Sequence, residues 1–325
     1  MNDDKIEVSF VIPTLNEEEY LPQCLDAVRR QTVNGKRYEI IVVDNGSTDK
    51  TVQIAKEYGA RIFSAPGKTV AALRNVGARD AKGGYVAYVD ADCVIDRHWL
   101  ENALKHFPDE KVAAVGSPTD IVTDSTWVQK YWHLVRSKKN QVAFVKWLPT
   151  ENLIVRRPAL ESVGGFNEAL TTCEDVDFCY RLSRKYMIVS DGSVRSVHLG
   201  EARTLGEFYK KERWRGKGNL GGLFAHGLVL DELPSLLFQF YYLIAFLLLT
   251  LSAVYSLAAK DIWPLAVGLL ITFSPVALLS LHTTLRAGSL KAFPPLCLLY
   301  LVYSFARVVA ILLGKTIRKA AASTP

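Results

Sequence analysis

The sequence predicts an α/β fold with a mostly parallel central sheet, followed by helices at and within a membrane. Over the first hundred residues, short apolar runs alternate with segments of helical periodicity, and several of these runs end in polar or acidic residues. Strands that alternate with helices of this length pair in parallel, and helices cover both faces of the sheet. The membrane part is predicted by composition, since residues 233–314 are mostly apolar whereas the preceding chain is charged and mixed.

The elements of the α/β part follow from hydrophobic spacing and from the residues that bound each run. Strands are predicted at 8–12, 39–43, 61–64, 85–89, 113–116 and 153–155, and helices at 18–30, 49–58, 69–80, 125–139 and 174–184. We expect the hydroxyls of Ser47 and Thr48 to cap the second helix. Gly59 should end that helix, because glycine readily adopts the left-handed conformation found there.

The apolar region divides into three segments of the length that a bilayer requires, about 20 residues each. Charged residues near 260 and from 286 to 291 separate predicted spans at 235–258, 262–281 and 294–314. Arg307 lies inside the third span, where a charge is rare and usually paired or turned toward protein.

A basic cluster lies where the two parts of the chain meet. It consists of Arg203, Lys210, Lys211, Arg213, Arg215 and Lys217. Lysine and arginine beside an apolar segment fit a cytoplasmic membrane surface with anionic lipids. Nucleic acid is disfavoured as a partner, because this cluster adjoins spans and not a recognition helix. We therefore predict a cytosolic α/β domain over 1–202, a basic amphipathic interfacial segment over 203–232 and a membrane domain over 233–325.

The orientation of the third span is left open by the charges that follow it. Three spans would place Lys315, Arg318 and Lys319 outside, whereas the positive-inside rule prefers them inside. Either the rule is overridden, or the third segment is re-entrant or interfacial.

The acidic N-terminus carries no apolar stretch of the kind found in a cleaved signal peptide. Five irregularly spaced cysteines predict neither a disulfide framework nor a zinc site.

Asp90 and Asp92 follow directly on a predicted buried strand. Where a strand turns into a loop, two such carboxylates can converge on one cation, and their oxygens suit Mg²⁺ or Mn²⁺. Such an ion can bridge the protein to a diphosphate and neutralise a leaving group. The bare motif is weak, because most Asp-x-Asp pairs are loop residues or helix caps.

Over residues 7 to 220 the chain resembles the family 2 glycosyltransferases, which have a GT-A (Rossmann-like) fold. Five blocks carry the resemblance in the expected order: Val8 to Glu17, Glu39 to Asp49, Arg74-Asn75 with Ala87 to Asp92, Asn152 to Phe166, and Glu174 to Arg181. The resemblance implies an inverting transfer of a sugar from a nucleotide sugar, with Mn²⁺ or Mg²⁺ as cofactor.

The resemblance also implies catalytic and metal-binding roles for particular residues. Asp92 would be the direct metal ligand, Asp90 would contact the ribose or metal-bound water, and His198 could complete the metal site. Asp175 would be the general base, positioned by Glu174. The alternatives are that His198 is structural and that the Glu174–Asp175 pair only stabilises a helix N-terminus.

The residues expected to bind the nucleotide sugar are Pro13, Thr14, Asn16, Glu17, Asp44, Lys68, Arg74 and Asp90. By resemblance Asp44 would recognise the base and accept a ring N–H of uracil, which favours UDP over GDP. Asp44 could instead form a turn before Asn-Gly. Lys68 could pair with the diphosphate or remain a solvated loop residue.

Lys210 to Trp214 resembles the Gln-x-x-Arg-Trp motif of processive polysaccharide synthases, with lysine in place of glutamine. Arg213 would reach the diphosphate and Trp214 would stack on the acceptor; the alternative is an interfacial anchor. We predict a membrane-anchored transferase that acts on a lipid-linked or membrane-proximal acceptor. The rival hypotheses are a processive polysaccharide synthase and a catalytically silent membrane scaffold.

Overall fold

The computed structural model describes residues 6–31, 37–136, 141–217 and 233–313. The chain divides into two compact units, the first formed by residues 1–123 and 137–201 and the second by 124–136 and 202–325. The second unit thus includes a helix that lies, in sequence, within the predicted catalytic domain.

All the described strands belong to the first unit. They are β1 (Ile6–Thr14), β2 (Arg37–Asp44), β3 (Arg61–Ser64), β4 (Tyr85–Val89), β5 (Cys93–Ile95), β6 (Val112–Gly116), β7 (Asp120–Ile121), β8 (Ala143–Val145), β9 (Asn152–Arg156), β10 (Met187–Ser190) and β11 (Ser196–His198). The helices are α1 (Leu21–Arg29), α2 (Thr51–Glu57), α3 (Val70–Asp80), α4 (Trp99–Leu104), α5 (Trp127–Arg136), α6 (Arg157–Ser162), α7 (Glu174–Ser183), α8 (Leu205–Gly216), α9 (Leu233–Ala259), α10 (Trp263–Ala287) and α11 (Phe293–Leu313).

The main sheet has eight strands in the order β3-β2-β1-β4-β9-β6-β10-β8. Strands β3, β2, β1 and β4 are parallel neighbours, and β6 is parallel to β10. Strand β9 is antiparallel to both β4 and β6, and β8 is antiparallel to β10. Six of the eight strands therefore run in one direction, which confirms the predicted mostly parallel sheet. A second sheet has the order β5-β11-β7.

The strands and helices of the first unit lie close to their predicted positions. The predicted bounds of β3 and β4 match residue for residue, and Gly59 follows α2 with a φ of +69°. The predicted hydroxyl caps of α2 are wrong, because Lys50 is the N-cap residue and makes no side-chain cap, while the hydroxyls of Ser47 and Thr48 donate to Asp44 and Asn16.

In the described part of the second unit, three helices are long and apolar enough to cross a membrane. They cover Leu237–Ala259, Trp263–Ala287 and Leu290–Leu313. These helices confirm the three predicted apolar segments, although the second is longer than predicted. The charged residues Lys315, Arg318 and Lys319 and residues 218–232 of the interfacial segment lie outside the described residues, as do the last residues predicted for the 125–139 helix.

Helices α8 and α5 pack with the apolar helices inside the second unit. Arg307 Nη2 on α11 lies 2.7 Å from Glu212 Oε2 on α8, so the charge within the third segment is paired, as expected. The Trp132 ring on α5 lies 4.8 Å from that of Phe208 on α8. The Arg286 guanidinium, near the end of α10, donates to the carbonyl of Leu134.

Candidate active site

The carboxyl ends of β1, β2 and β4 meet at one edge of the main sheet. Thr14 at the end of β1 is in register with Asp44 at the end of β2, and Val11 is in register with Tyr88 of β4. Asp90 follows β4 directly. Ligands of open α/β sheets bind beyond this edge. Three of the residues predicted to bind the nucleotide sugar, Thr14, Asp44 and Asp90, therefore lie at the edge where a ligand is expected.

Arg74 on α3 links two acidic parts of this region. Its side chain is only 3% exposed, and its Nη2 lies 2.7 Å from Asp90 Oδ1 while its Nη1 lies 2.7 Å from Glu174 Oε1. Burial alone would lower the pKa of the Arg74 guanidinium, but Asp90 and Glu174 outweigh burial and raise it. The two contacts connect the end of β4 to the start of α7, and they occupy a side chain that the sequence assigned to the nucleotide sugar.

Asp175 is the second residue of α7 and is half-buried. Burial, followed by repulsion from Glu174, raises the pKa of the Asp175 carboxyl to about 7, although the Val176 N–H and Arg74 oppose the shift. Asp175 Oδ1 accepts this N–H at 2.8 Å. A carboxylate that titrates near neutral pH is suited to accept a proton from a hydroxyl.

The helix-dipole alternative explains part of the acidic start of α7. Glu174, Asp175 and Asp177 all lie in the first turn, where negative charge is favourable. Asp177 Oδ2 is held 2.7 Å from Arg181 Nη2 one turn later. Asp177 therefore has a structural partner within the helix, whereas Glu174 is paired with Arg74 on another helix.

His198 lies among three carboxylates at the end of β11. Its Nε2 lies 2.8 Å from Asp92 Oδ2, and its Nδ1 lies 3.2 Å from Glu201 Oε1 and 4.0 Å from Glu151 Oε2. Burial alone would lower the pKa of His198, but Glu151, Asp92 and Glu201 together raise it to about 10. The imidazole is thus a positively charged centre for this acidic cluster when no other cation is bound.

Asp92, Cys93 and His198 are the described residues whose donor atoms could hold a metal ion together. One donor atom of each lies within 4.8 Å of the others. Burial raises the pKa of the Cys93 thiol well above its usual value, so this thiol stays protonated and is a poor ligand. Asp92 and His198 fit a divalent cation, whereas Asp90 Oδ1 is engaged by Arg74.

Asp44 is 3% exposed, and its carboxylate accepts several local hydrogen bonds. The donors are the Gly46 N–H at 2.9 Å, the Ser47 N–H at 3.0 Å and the Ser47 hydroxyl at 2.5 Å. Thr14 Oγ1 donates to the same carboxylate at 3.4 Å. These bonds form the turn that the alternative interpretation of Asp44 required.

The other predicted nucleotide-binding residues lie in the neighbouring loops. Pro13 is buried in β1, and Asn16, at a φ of +56°, accepts the Thr48 N–H at 2.8 Å. Burial, followed by the charges of Asp92 and Asp90, raises the pKa of Glu17 to about 7. The Lys68 side chain is exposed, and the backbone N–H of Lys68 donates to Asn45 Oδ1 at 3.1 Å.

Arg213 and Trp214 lie on α8, which belongs to the second unit, whereas the other predicted site residues belong to the first unit. The Arg213 guanidinium carbon lies 5.7 Å from the centre of the Tyr209 ring, and Trp214 is 49% exposed. Their predicted contact with diphosphate and acceptor remains a prediction.

Glu151 and Glu201 are members of the acidic cluster that sequence reasoning missed. Glu201 follows His198 by three residues, a spacing that could have indicated a contact. Glu151 precedes β9, and Thr119 Oγ1 donates to it at 2.7 Å. No local pattern marks Glu151, because its position depends on the pairing of distant strands.

The chain is similar to known glycosyltransferases in sequence. The family model described as "Glycosyl transferase family 2" matches residues 9–161. "Glycosyltransferase AglE" of Haloferax volcanii is 30% identical over 223 residues, which are 66% of this chain and 73% of the relative. "Pre-mycofactocin glycosyltransferase" of Mycobacterium tuberculosis is 31% identical over 189 residues, which are 54% of this chain and 39% of that protein.

The fold is similar to those of solved glycosyltransferase structures. One is the mannosyltransferase PcManGT from Pyrobaculum calidifontis in complex with GDP-Man and Mn²⁺, with a TM-score of 0.61 and 19% identity. This match covers 96% of this chain and 88% of that one. Staphylococcus aureus TarS 1–349 in complex with UDP gives a TM-score of 0.50 at 18% identity, over 87% of this chain and 92% of that one. These matches confirm the predicted fold class.

Proposed function

This chain belongs to glycosyltransferase family 2, and from this premise we propose that it transfers a sugar from a nucleoside diphosphate sugar to an acceptor at a membrane. The reaction is an inverting single displacement that depends on a divalent metal. The observation that carries the proposal is the pair of contacts made by Arg74. These contacts support a single site that includes Asp90, beside the proposed metal ligand Asp92, and Glu174, beside the proposed base Asp175.

Asp175 acts as the general base in this proposal. Its carboxylate accepts the proton of an acceptor hydroxyl while the hydroxyl oxygen forms a bond to the anomeric carbon. The bond from that carbon to the phosphate oxygen breaks, and the nucleoside diphosphate leaves with the electron pair. A pKa of about 7 supports this role, since it keeps a large fraction of the base ionised at neutral pH and able to take up a proton.

Asp92 and His198 would hold the divalent ion, and Asp90 would lie beside it. A bound ion neutralises the negative charge that develops on the departing diphosphate. The combination of a carboxylate with an imidazole favours Mn²⁺ over Mg²⁺, because Mg²⁺ prefers oxygen ligands alone. The raised pKa of His198 means that metal binding would release a proton.

The nucleotide is proposed as UDP by the resemblance that assigns Asp44 to uracil. The buried turn around Asp44 limits the support for that assignment, because its carboxylate already accepts backbone N–H groups. The solved structures similar to this chain include complexes with GDP-Man and with UDP. Both nucleotides therefore belong in the experiment.

The acceptor is proposed to be lipid-linked or membrane-proximal, and the catalytic domain is proposed to face the cytosol, where sugar nucleotides are made. Three helices long enough to span a bilayer support a membrane-associated acceptor. A processive synthase is the second hypothesis, and "Chondroitin synthase" of Pasteurella multocida is among the similar proteins, at 28% identity over 54% of this chain and 19% of that protein. Lys210 in place of the motif's glutamine argues against it.

The proposal is tested with the full chain in liposomes that contain a lipid extract as a source of acceptors. UDP- and GDP-sugars are first screened for thermal stabilisation with Mn²⁺, since a ligand of the folded state raises its stability. Each stabilising donor is then supplied with a radiolabelled sugar. Transfer of single sugars to lipid supports the proposal, and long polymers would favour the processive synthase. A protein that neither binds nor turns over any sugar nucleotide would favour the silent scaffold.

A further inference from the structure

A short segment of the first unit exposes large apolar side chains to solvent. We define the exposed apolar segment as Val142, Phe144, Lys146 and Trp147. Val142 is 63% exposed, Phe144 71% and Trp147 42%. Elsewhere in the described part of the first unit, Leu15 is the one large apolar side chain exposed to a similar extent. A concentration of this kind marks a surface that contacts something other than water.

The exposed apolar segment also lies at the edge of the main sheet. Phe144 belongs to β8, which is the last strand in the order and pairs with β10 on one side. An edge strand with apolar side chains tends to associate with other molecules unless it is covered or guarded by charge. Among the residues that the structure describes, no strand pairs with the other side of β8.

The charge of the surrounding sequence favours one class of partner. No Asp or Glu occurs between Asp124 and Glu151, whereas this stretch contains Lys and Arg residues that include Lys146. Lys146 is exposed between Phe144 and Trp147. Aromatic residues combined with lysine and without acids are typical of surfaces that enter the headgroup region of anionic bilayers.

The chain also connects this segment directly to the unit with the apolar helices. Four residues, 137–140, separate β8 and its flanking residues 141–142 from α5, which belongs to the second unit. Within that unit, Arg286 near the end of α10 donates to the carbonyls of Leu134 and Val135 at the end of α5. Within the second unit, the end of α5 is therefore attached to the end of a candidate span.

We propose that the exposed apolar segment docks onto the surface of an anionic bilayer, the same membrane in which the apolar helices lie. Phe144 and Trp147 would insert at the headgroup level while Lys146 contacts lipid phosphates. A second copy of this chain is the main competing occupant of the β8 edge. The proposal does not depend on transferase activity, so it can fail while the proposed function holds.

The test uses the full chain in liposomes of phosphatidylcholine and phosphatidylglycerol, with the photoreactive residue benzoylphenylalanine in place of Phe144. The matched control has the same residue in place of Lys105, an exposed position next to α4 in the same unit. After illumination we expect lipid adducts at position 144 and a background level at 105. Adducts to a second protein chain, or equal lipid labelling at both positions, would overturn the proposal.

Two further measurements keep the inference independent of one variant. Replacement of phosphatidylglycerol by phosphatidylcholine should reduce the adduct yield by about fivefold, which corresponds to one lysine at an anionic surface; an unchanged yield would contradict the anionic-lipid partner. Lipids brominated near the headgroup should quench tryptophan fluorescence less in Trp147→Phe than in the wild type. Equal quenching in the two proteins would show that Trp147 does not meet the bilayer.

Discussion

His198 Nε2 lies 2.8 Å from Asp92 Oδ2, although the two residues are far apart in sequence. The pairing of β11 with β5 creates this contact, because His198 is in register with Cys93, the residue after Asp92. The Leu199 N–H also donates to the Asp92 carbonyl at 2.8 Å. The backbone of one short strand therefore positions both proposed metal ligands.

Gly200 provides a steric test of this metal site. A Cβ at Gly200 would collide with Asp92 Oδ2, and the φ of this glycine is not in the left-handed region, so Gly200→Ala tests space alone. Displacement of Asp92 should weaken Mn²⁺ binding by about 10-fold or more, as for other changes that disturb ligand orientation. Calorimetric titration of the purified full chain with Mn²⁺ measures the effect.

The control for this variant is Gly206→Ala. The nearest atom to a Cβ at Gly206 is Thr204 Oγ1 at 3.9 Å, so the added methyl group meets ordinary contact distances. We expect its Mn²⁺ affinity to equal that of the wild type. A Gly200→Ala protein that binds Mn²⁺ with unchanged affinity would count against Asp92 as a ligand.

Arg74 should contribute strongly to stability, because its guanidinium pairs with two carboxylates, those of Asp90 and Glu174. Arg74→Gln leaves Asp90 and Glu174 without their 2.7 Å partner in a buried region. Removal of one partner from a buried charge cluster typically costs about 3–5 kcal/mol of the free energy of unfolding. The loss in the free energy of unfolding is measured by denaturant unfolding of the full chain in detergent, with circular dichroism as the signal.

Arg79 on the same helix is the matched control. Its Nη1 lies 3.7 Å from Glu168 Oε1, and both side chains are largely exposed. Arg79→Gln should cost no more than about 1 kcal/mol. Addition of Glu174→Gln to Arg74→Gln should recover part of the stability, since one unpaired carboxylate is then removed. If Arg74→Gln were as stable as Arg79→Gln, the central role of this ion pair would be wrong.

Asp175 predicts the shape of the pH–rate profile. A general base must be ionised, so kcat/KM should fall as the pH drops below about 7, the pKa of this carboxyl. Asp175→Asn should lower kcat by about 100-fold to 10,000-fold. The variant should still bind the nucleotide sugar, as measured by thermal stabilisation. Glu161→Gln, an exposed change on α6, serves as the control. Full activity of Asp175→Asn would exclude this residue as the base.

Glu174 provides a second test of Asp175 as the general base, because a change at Glu174 should shift the pKa of Asp175 in a known direction. Its negative charge is, after burial, the largest cause that raises the pKa of Asp175. Glu174→Gln should therefore lower that pKa and move the acidic limb of the kcat/KM profile to lower pH. A limb that stays in place in Glu174→Gln would mean that another group, such as Glu17, controls the profile.

The sheet and much of the candidate site could be predicted because local signals agree there. Strands β3 and β4 are short runs of strand-forming residues bounded by turn residues, and Asp90 and Asp175 lie at the ends of elements. Glu151 could not be found, because only long-range packing brings it to His198. Asp44 shows a different limit, since its turn forms from neighbouring N–H groups whichever role the carboxylate has.

The division into units was also beyond local patterns. The helical periodicity of α5 predicted a helix, and its apolar face is compatible with many partners. In the structure, Trp132 packs on Phe208 and lies 5.9 Å from the Tyr300 ring of α11. The spacing of apolar residues reports that a face is buried, and it does not report which element buries it.

Glu212 and Arg307 form a buried ion pair that joins α8 to the third apolar helix. Arg307 Nη2 lies 2.7 Å from Glu212 Oε2, and Arg215 Nη1 lies 2.8 Å from Glu212 Oε1. Burial alone would raise the pKa of Glu212, but Arg215 and Arg307 lower it, so the carboxylate stays ionised. Gly216 allows this close approach, because a Cβ there would meet the Ala310 Cβ at 2.7 Å.

Glu212→Leu should destabilise the second unit strongly, because it leaves Arg307 without its carboxylate inside an apolar helix. The expected cost is about 3–5 kcal/mol, whereas the double variant Glu212→Leu with Arg307→Leu should lie closer to the wild type, since no buried charge is left unpaired. Thermal denaturation of the full chain in detergent compares the two, with the exposed change Lys217→Gln as the control. If the double variant is no more stable than Glu212→Leu, the pair holds α8 by its packing and not by its charge.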